Sequence, residues 1–185
     1  MILSDKTIRE YVEQGKIQIT PEFYYEDITP AGVRVYLDKK VLVALPDQTV
    51  SLTEPKDLLY EEFDISETPF LLKPGDFILA STYERFCTDR NLLIFLDGRS
   101  TIARLGITTH VTAGVIDGKY EVPKSIVLEM KNLGDFTVAL KYRDPIANIY
   151  FEELTCEVEQ EIQDRYKEQL GVRGPNLFHK PNGRR

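Results

Sequence analysis

Between Leu96 and Gly106 the chain reads Leu96-Asp97-Gly98-Arg99-Ser100-Thr101-Ile102-Ala103-Arg104-Leu105-Gly106. Two guanidinium groups and two hydroxyls stand close together, bracketed by glycines. A guanidinium presents a planar fork that matches phosphate oxygens, and glycine lets backbone come close to a ligand. Phosphate recognition is the first chemistry this loop suggests, although an Arg–Asp pair beside a turn carries the same pattern. A second group of interest is Glu129, in the apolar run Ile126-Val127-Leu128-Glu129-Met130. A carboxylate is costly to bury without a role. A single carboxyl with its pKa lifted by partial burial can activate water and then return the proton. Alternation sets Glu129 opposite Leu128 and Met130, so a glutamate on the wet face of a half-buried strand fits the same residues.

The elements that must hold these groups are mostly strands. Ser4 is placed to cap a helix over residues 5–14, with Asp5 in its first turn, apolar Ile8, Tyr11 and Val12 at helical spacing, and Gly15 closing it. Short apolar or alternating runs follow at Ile17–Ile19, Val33–Leu37, Val41–Leu45, Phe70–Leu72, Phe77–Ala80, Leu92–Leu96, Ile126–Met130, Phe136–Leu140 and Ile146–Phe151. Turn residues such as Lys73-Pro74-Gly75-Asp76 punctuate them. Many short strands with little helix predict an antiparallel sandwich or barrel. From Glu157 onward the chain turns polar, then rich in Gly, Pro, Asn and Arg. That tail reads either as a frayed end or as a lid over a ligand.

The bulk numbers bound the function. At 185 residues, 42% hydrophobic and 29% charged, the chain fits one domain with a real core. A net charge of −7 argues against nucleic acid or an anionic membrane as the main partner. It leaves room for a small anion in a local basic pocket. The two cysteines, Cys87 and Cys156, form neither a metal pattern nor a disulfide framework, and two reduced thiols are expected. The start, Met1-Ile2-Leu3-Ser4-Asp5-Lys6, shows no signal peptide, and no run is long enough to span a membrane, so a cytoplasmic protein is expected.

Read as a set, the motifs resemble the dCTP deaminase family, within the dUTPase-like superfamily. Met1-Ile2-Leu3-Ser4-Asp5-Lys6-Thr7-Ile8 and Ile17-Gln18-Ile19-Thr20-Pro21 are similar to the family's opening helix and strand. Asp97 to Gly106 resembles its GRSSLARLG segment. His110-Val111-Thr112-Ala113, Ile116-Asp117 and Ser125-Ile126-Val127-Leu128-Glu129 resemble its HVTA, ID and IxLE elements. Arg165-Tyr166-Lys167-Glu168-Gln169 resembles part of its C-terminal lid. The resemblance implies a mainly β, distorted jelly-roll or β-clip subunit with a short N-terminal helix, residues 1–156 forming the domain and 157–185 its lid or tail. It also implies a homotrimer with active sites between neighbouring subunits. The implied reaction is hydrolytic deamination of dCTP to dUTP and ammonia, with Mg2+ on the triphosphate and no metal held by protein side chains.

The same resemblance implies the roles. Glu129 is general base and acid, Ser100 and the Ala113 carbonyl position the water, and Arg104 stabilises charge or orients the base. Arg99, Ser100 and Thr101 meet the phosphates, and Thr112 belongs to the nucleotide site. Asp117 takes the 3′-hydroxyl and Tyr120 packs on the sugar. Val127 and Leu128 read the base through their backbone. Arg165 and Gln169 close the lid. Outside the resemblance, Arg99 also suits an intersubunit salt bridge, Asp117 a turn, and Tyr120 a core or hairpin position. His110 is assigned to an interface or to regulation, and dTTP is a candidate inhibitor. No H-x-E and no C-x-x-C occurs, which sets zinc deaminase chemistry aside. Departures from the family pattern fall at Arg34, Asp38, Gly118, Lys119 and Val158. Two other outcomes stay open: a bifunctional enzyme giving dUMP and pyrophosphate, or a catalytically silent nucleotide-binding relative. The tail lacks the G-F-G-S pattern of a dUTPase.

Overall fold

A computed structural model describes residues 1–52, 54, 56–116, 121–159, 166 and 170–177. In chain order its elements are α1 (Asp5–Glu13), β1 (Ile17–Thr20), β2 (Ile28–Thr29), β3 (Gly32–Tyr36), β4 (Lys40–Ala44), β5 (Tyr60–Asp64), β6 (Phe70–Leu72), β7 (Phe77–Thr88), β8 (Leu92–Gly98), α2 (Ser100–Arg104), β9 (Ile107–Thr108), β10 (Val115–Ile116), β11 (Lys124–Asn132), β12 (Val138–Leu140) and β13 (Pro145–Glu153). The mainly β expectation holds. None of the helices among the described residues is long and apolar enough to cross a membrane.

Two antiparallel sheets share one core. A six-stranded sheet runs β5-β4-β7-β11-β9, with β1 also paired to β7, and a five-stranded sheet runs β10-β8-β13-β3-β2. A separate ribbon pairs β12 with β6. Strict alternation builds the core: on β11 Ile126, Leu128 and Met130 are buried, while Val127, Glu129 and Lys131 are half-buried on the opposite face. Each fully buried side chain of this size contributes about 1.5–3 kcal/mol. Helix α1 adds Ile8, which is fully buried, and Gly15 ends it at φ +74°.

Several sequence expectations need correction. Ser4 stands at the N-cap of α1 but makes no side-chain bond to the helix backbone; its hydroxyl lies 3.4 Å from the Thr7 hydroxyl instead. The segment expected as a phosphate loop winds into the single helical turn α2. Strand β7 runs to Thr88 rather than stopping at Ala80, because Ser81 and Thr82 are buried in the sheet despite their polarity. Strand β12 begins at Val138, two residues later than expected, with Phe136 left exposed in the turn. Strand β5 was not foreseen at all. Its sequence Tyr60-Glu61-Glu62-Phe63-Asp64 carries three acids, and only the edge position of the strand makes them tolerable.

Candidate active site

The cavity that concerns function lies on the outer face of the six-stranded sheet, and strand register explains its walls. Glu129 of β11 pairs with Leu79 of β7, Leu79 pairs with Leu42 of β4, and Ala44 of β4 pairs with Tyr60 of β5. Residues in such rows share one face. The side chains of Glu129, Leu79, Leu42, Ala44 and Tyr60 all line one cavity of about 610 Å³. Ser125, Val127, Ala113 and Ile116 add to it. Tyr166 and Arg173–Pro175 of the tail close it from above.

At the start of β11 the ladder is irregular. Register shifts between Ser125 and Val127. The Thr82 hydroxyl patches the gap, accepting the Ile126 N–H at 3.0 Å and donating to the Glu84 carbonyl at 2.7 Å. Such irregularities re-aim side chains next to sites. Beyond it, β9 pairs with β11 only at Lys131 and Asn132. The outer edge along Val127–Glu129 therefore has no strand partner among the described residues.

The walls around Glu129 are mostly apolar, and this loss of water raises its pKa above the ordinary carboxylate range. Three weaker influences pull the other way: the Val111 backbone N–H, the backbone N–H of Glu129 itself and the charge of His110 all favour the ionised form. His110 itself lies 3.7 Å, Nε2 to Oδ1, from Asp97 and faces a second cavity of about 570 Å³ with Thr112 and Gly114. The segment 112–115 thus separates two cavities, with Ala113 turned to the first, Thr112 and Gly114 to the second, and Val115 bordering both.

The expected site residues divide into groups. Glu129, Ala113 and Val127 meet at the first cavity, and the Leu128 side chain points into the core, leaving only its backbone for a ligand. Arg99, Ser100, Thr101 and Arg104 lie on or beside α2, and none of the four lines the first cavity of this chain. Ser100, Thr101 and Arg104 are exposed. Arg99 donates from Nη1 to the Pro145 carbonyl of its own chain at 2.7 Å. Asp117, Gly118, Lys119, Tyr120, Arg165 and Gln169 lie outside the described residues. The departure Arg34 pairs with Asp27 at 3.6 Å, and Asp38 accepts the Lys39 N–H at 2.8 Å. Val158 is bound through its carbonyl by the Arg90 side chain and through its N–H by the Arg90 carbonyl. Sequence reasoning missed Leu42, Tyr60, Phe77, Leu79 and Arg173. For Tyr60 the missed signal is the Tyr60-Glu61-Glu62-Phe63 stretch, whose acids hide a strand.

A family model described as dCTP deaminase-like matches residues 2–154. A protein of Methanothermobacter thermautotrophicus named "dCTP deaminase, dUMP-forming" is 37% identical over 164 residues, covering 86% of this chain and 82% of that protein. One of Alteromonas mediterranea named "dCTP deaminase" is 33% identical over 187 residues, covering 93% and 94%. Among solved structures, a 2′-deoxycytidine 5′-triphosphate deaminase from Agrobacterium tumefaciens has a similar fold, with a TM-score of 0.63 and 19% identity. That match covers 82% of this chain and 48% of the other, so the chain spans about half of that protein's length. A family match across almost the whole β-rich body, with relatives at 37% and 33% identity over most of their own length, makes this chain a member of the dCTP deaminase-like family.

Proposed function

We propose that the protein deaminates dCTP by hydrolysis, with Glu129 as the group that moves the protons. The observation that carries this reading is a desolvated carboxylate on the wall of a cavity of about 610 Å³ in a chain of this family. A cavity of that size suits a nucleotide. Ionised Glu129 takes a proton from water as the hydroxide attacks C4 of the cytosine. The proton passes to N3, giving a tetrahedral intermediate. The new hydroxyl then gives up its proton, which Glu129 carries to the exocyclic amine. Ammonia leaves, and the carbonyl of uracil remains. A raised pKa suits both halves of this cycle, because the same group must accept and release a proton near neutrality.

Around that step, Ser100 and the Ala113 carbonyl hold the water, and Arg104 offsets negative charge developing on the base. The backbone edge of Val127 and Leu128, which no strand among the described residues covers, supports reading of the cytosine by N–H and C=O groups. Arg99, Ser100 and Thr101 meet the phosphates, Thr112 the nucleotide, Asp117 and Tyr120 the sugar, and Arg165 and Gln169 the closing tail. The substrate brings its own Mg2+ on the triphosphate. Because α2 does not reach the Glu129 cavity of its own chain, its donors are best supplied by a neighbouring copy in a homotrimer.

The product of this step is dUTP. A second reading adds pyrophosphate release to give dUMP. The names of the relatives from Methanothermobacter thermautotrophicus and Methanosphaera stadtmanae, both "dCTP deaminase, dUMP-forming", favour it. Incubation with dCTP and Mg2+ tests both readings. Ammonia with accumulating dUTP supports simple deamination, ammonia with dUMP and pyrophosphate supports the second reading, and binding without any product overturns both.

A further inference from the structure

Three contacts hold the tail among the described residues, and one of them, on Tyr60, falls on the cavity wall. The Asn176 N–H donates to the Tyr166 hydroxyl at 3.0 Å. Gly171 turns in the left-handed region, φ +91°, beside Asp38. Gly174 lies flat on Tyr60, so closely that a Cβ there would stand 2.7 Å from the ring's Cε2 and 3.2 Å from Cζ. No side chain other than glycine's hydrogen fits that gap without moving a rigid ring. Between these ties Arg173 faces the cavity, and it is the one cation among the described residues of its wall.

We propose that Tyr60 is the seat of the C-terminal tail, and that the Gly174 contact on its ring holds Arg173 in the cavity as a contact for the anionic phosphates of a nucleotide. This rests on the reading of the cavity as a nucleotide site. Tyr60 is a positioning residue that acts through Arg173. Its place is set by β5, whose first residue pairs with Ala44 and so falls on the cavity face. Burial under the tail also raises the Tyr60 pKa. The guanidinium at position 173 answers the charge of a triphosphate, which the apolar walls do not.

Four variants test it: Arg173→Gln, Gly174→Ala, Tyr60→Ala and Tyr60→Phe. Loss of one charge-assisted contact in Arg173→Gln is expected to raise KM for dCTP about tenfold with kcat within about twofold. Gly174→Ala and Tyr60→Ala are expected to match it, whereas Tyr60→Phe, which keeps the ring, stays near wild type. Trypsin cleavage after Arg173 reads seating directly. It slows when dCTP is added to wild type and to Tyr60→Phe, and does not slow in Gly174→Ala or Tyr60→Ala. Hydrogen exchange of the β11 amides, unchanged in all four, shows an intact sheet. Unchanged KM in Arg173→Gln, or unchanged KM and tail cleavage in Gly174→Ala and Tyr60→Ala, overturns the proposal. If wild type does not turn over dCTP, the deaminase reading fails, yet protection of the tail by dCTP still decides the seating.

Discussion

Two carboxyl groups on this fold share a cause, burial, and differ in consequence. At Glu129 the raised pKa suits the proposed proton transfer, and on that proposal kcat/KM for dCTP should fall as pH drops through a pKa lying above the ordinary 4.5. Glu129→Gln should lower kcat by about 10²–10⁴-fold while dCTP still binds, measured by ammonia release and by calorimetry. Glu84 on β7 is buried too, and its pKa rises to about 7, chiefly through desolvation. It accepts the Tyr36 N–H at 2.9 Å, beside the point where the β3–β13 register shifts between Pro145 and Ala147. The Tyr36 N–H and the Arg143 charge lower the Glu84 pKa, and Asp27 raises it. The folded state holds this proton more tightly than the unfolded chain. Its stabilisation is therefore complete below the ordinary 4.5 and is lost as pH rises through about 7. Wild type should lose roughly 2–3 kcal/mol of stability from this group between those limits, and Glu84→Gln, which keeps the acceptor, should not. Denaturant titrations at pH 5 and pH 8 give the comparison. Sequence alone left Glu129 divided between a wet strand face and a catalytic wall. Alternation set its face correctly, but the β4, β5 and tail residues that dry that face are remote in sequence. Glu84 gave no warning, since Tyr83-Glu84-Arg85 reads as an ordinary polar stretch.

At the level of elements, strand interiors were legible and the pieces that join them were not. Runs such as Leu92–Leu96 and Ile146–Phe151 announce themselves because the two sheets bury one face of each. The turn α2 was read as loop because five residues are too few to show a helical period. What fixes α2 is tertiary: Gly106, at φ +76°, sends the chain into β9, and its carbonyl accepts the Leu133 N–H at 2.7 Å. A Cβ on Gly106 would stand 2.6 Å from the Gly134 nitrogen. Gly75 also has positive φ, +82°, yet a Cβ there meets nothing within 4 Å. The pair separates backbone strain from steric conflict. Gly75→Ala should cost only the left-handed penalty, about 1–2 kcal/mol. Gly106→Ala adds displacement of the 133–134 backbone and should cost about 2–4 kcal/mol, roughly 5–10 °C in Tm by calorimetry. Equal losses in the two variants would show that the Gly134 approach relaxes freely.

At the scale of the whole molecule, the split between two sets of expected residues is the informative fact. Glu129 and Ala113 share a cavity whose charged wall, among the described residues, is Glu129 and the tail's Arg173, whereas Arg104 and Ser100 stand exposed on α2 outside it. The proposed reading needs Arg104 and Ser100 at the Glu129 cavity, so a neighbouring copy must bring them, and rotation about a symmetry axis is the simplest way to do so. Val111 and Val115, flanking the cavity-lining Ala113, are more than half exposed in the single chain, and the proposed trimer would cover them. This arrangement has a consequence that a self-sufficient subunit lacks. Glu129→Gln and Arg104→Gln should each be inactive alone. Unfolded together in equal amounts and refolded, they should recover about a quarter of wild-type turnover, because random mixing gives that share of sites an intact Glu129 from one copy and an intact Arg104 from its neighbour. Sedimentation of the mixture should show a trimer. Recovery no greater than the sum of the two variants measured separately would place both residues in one chain's site.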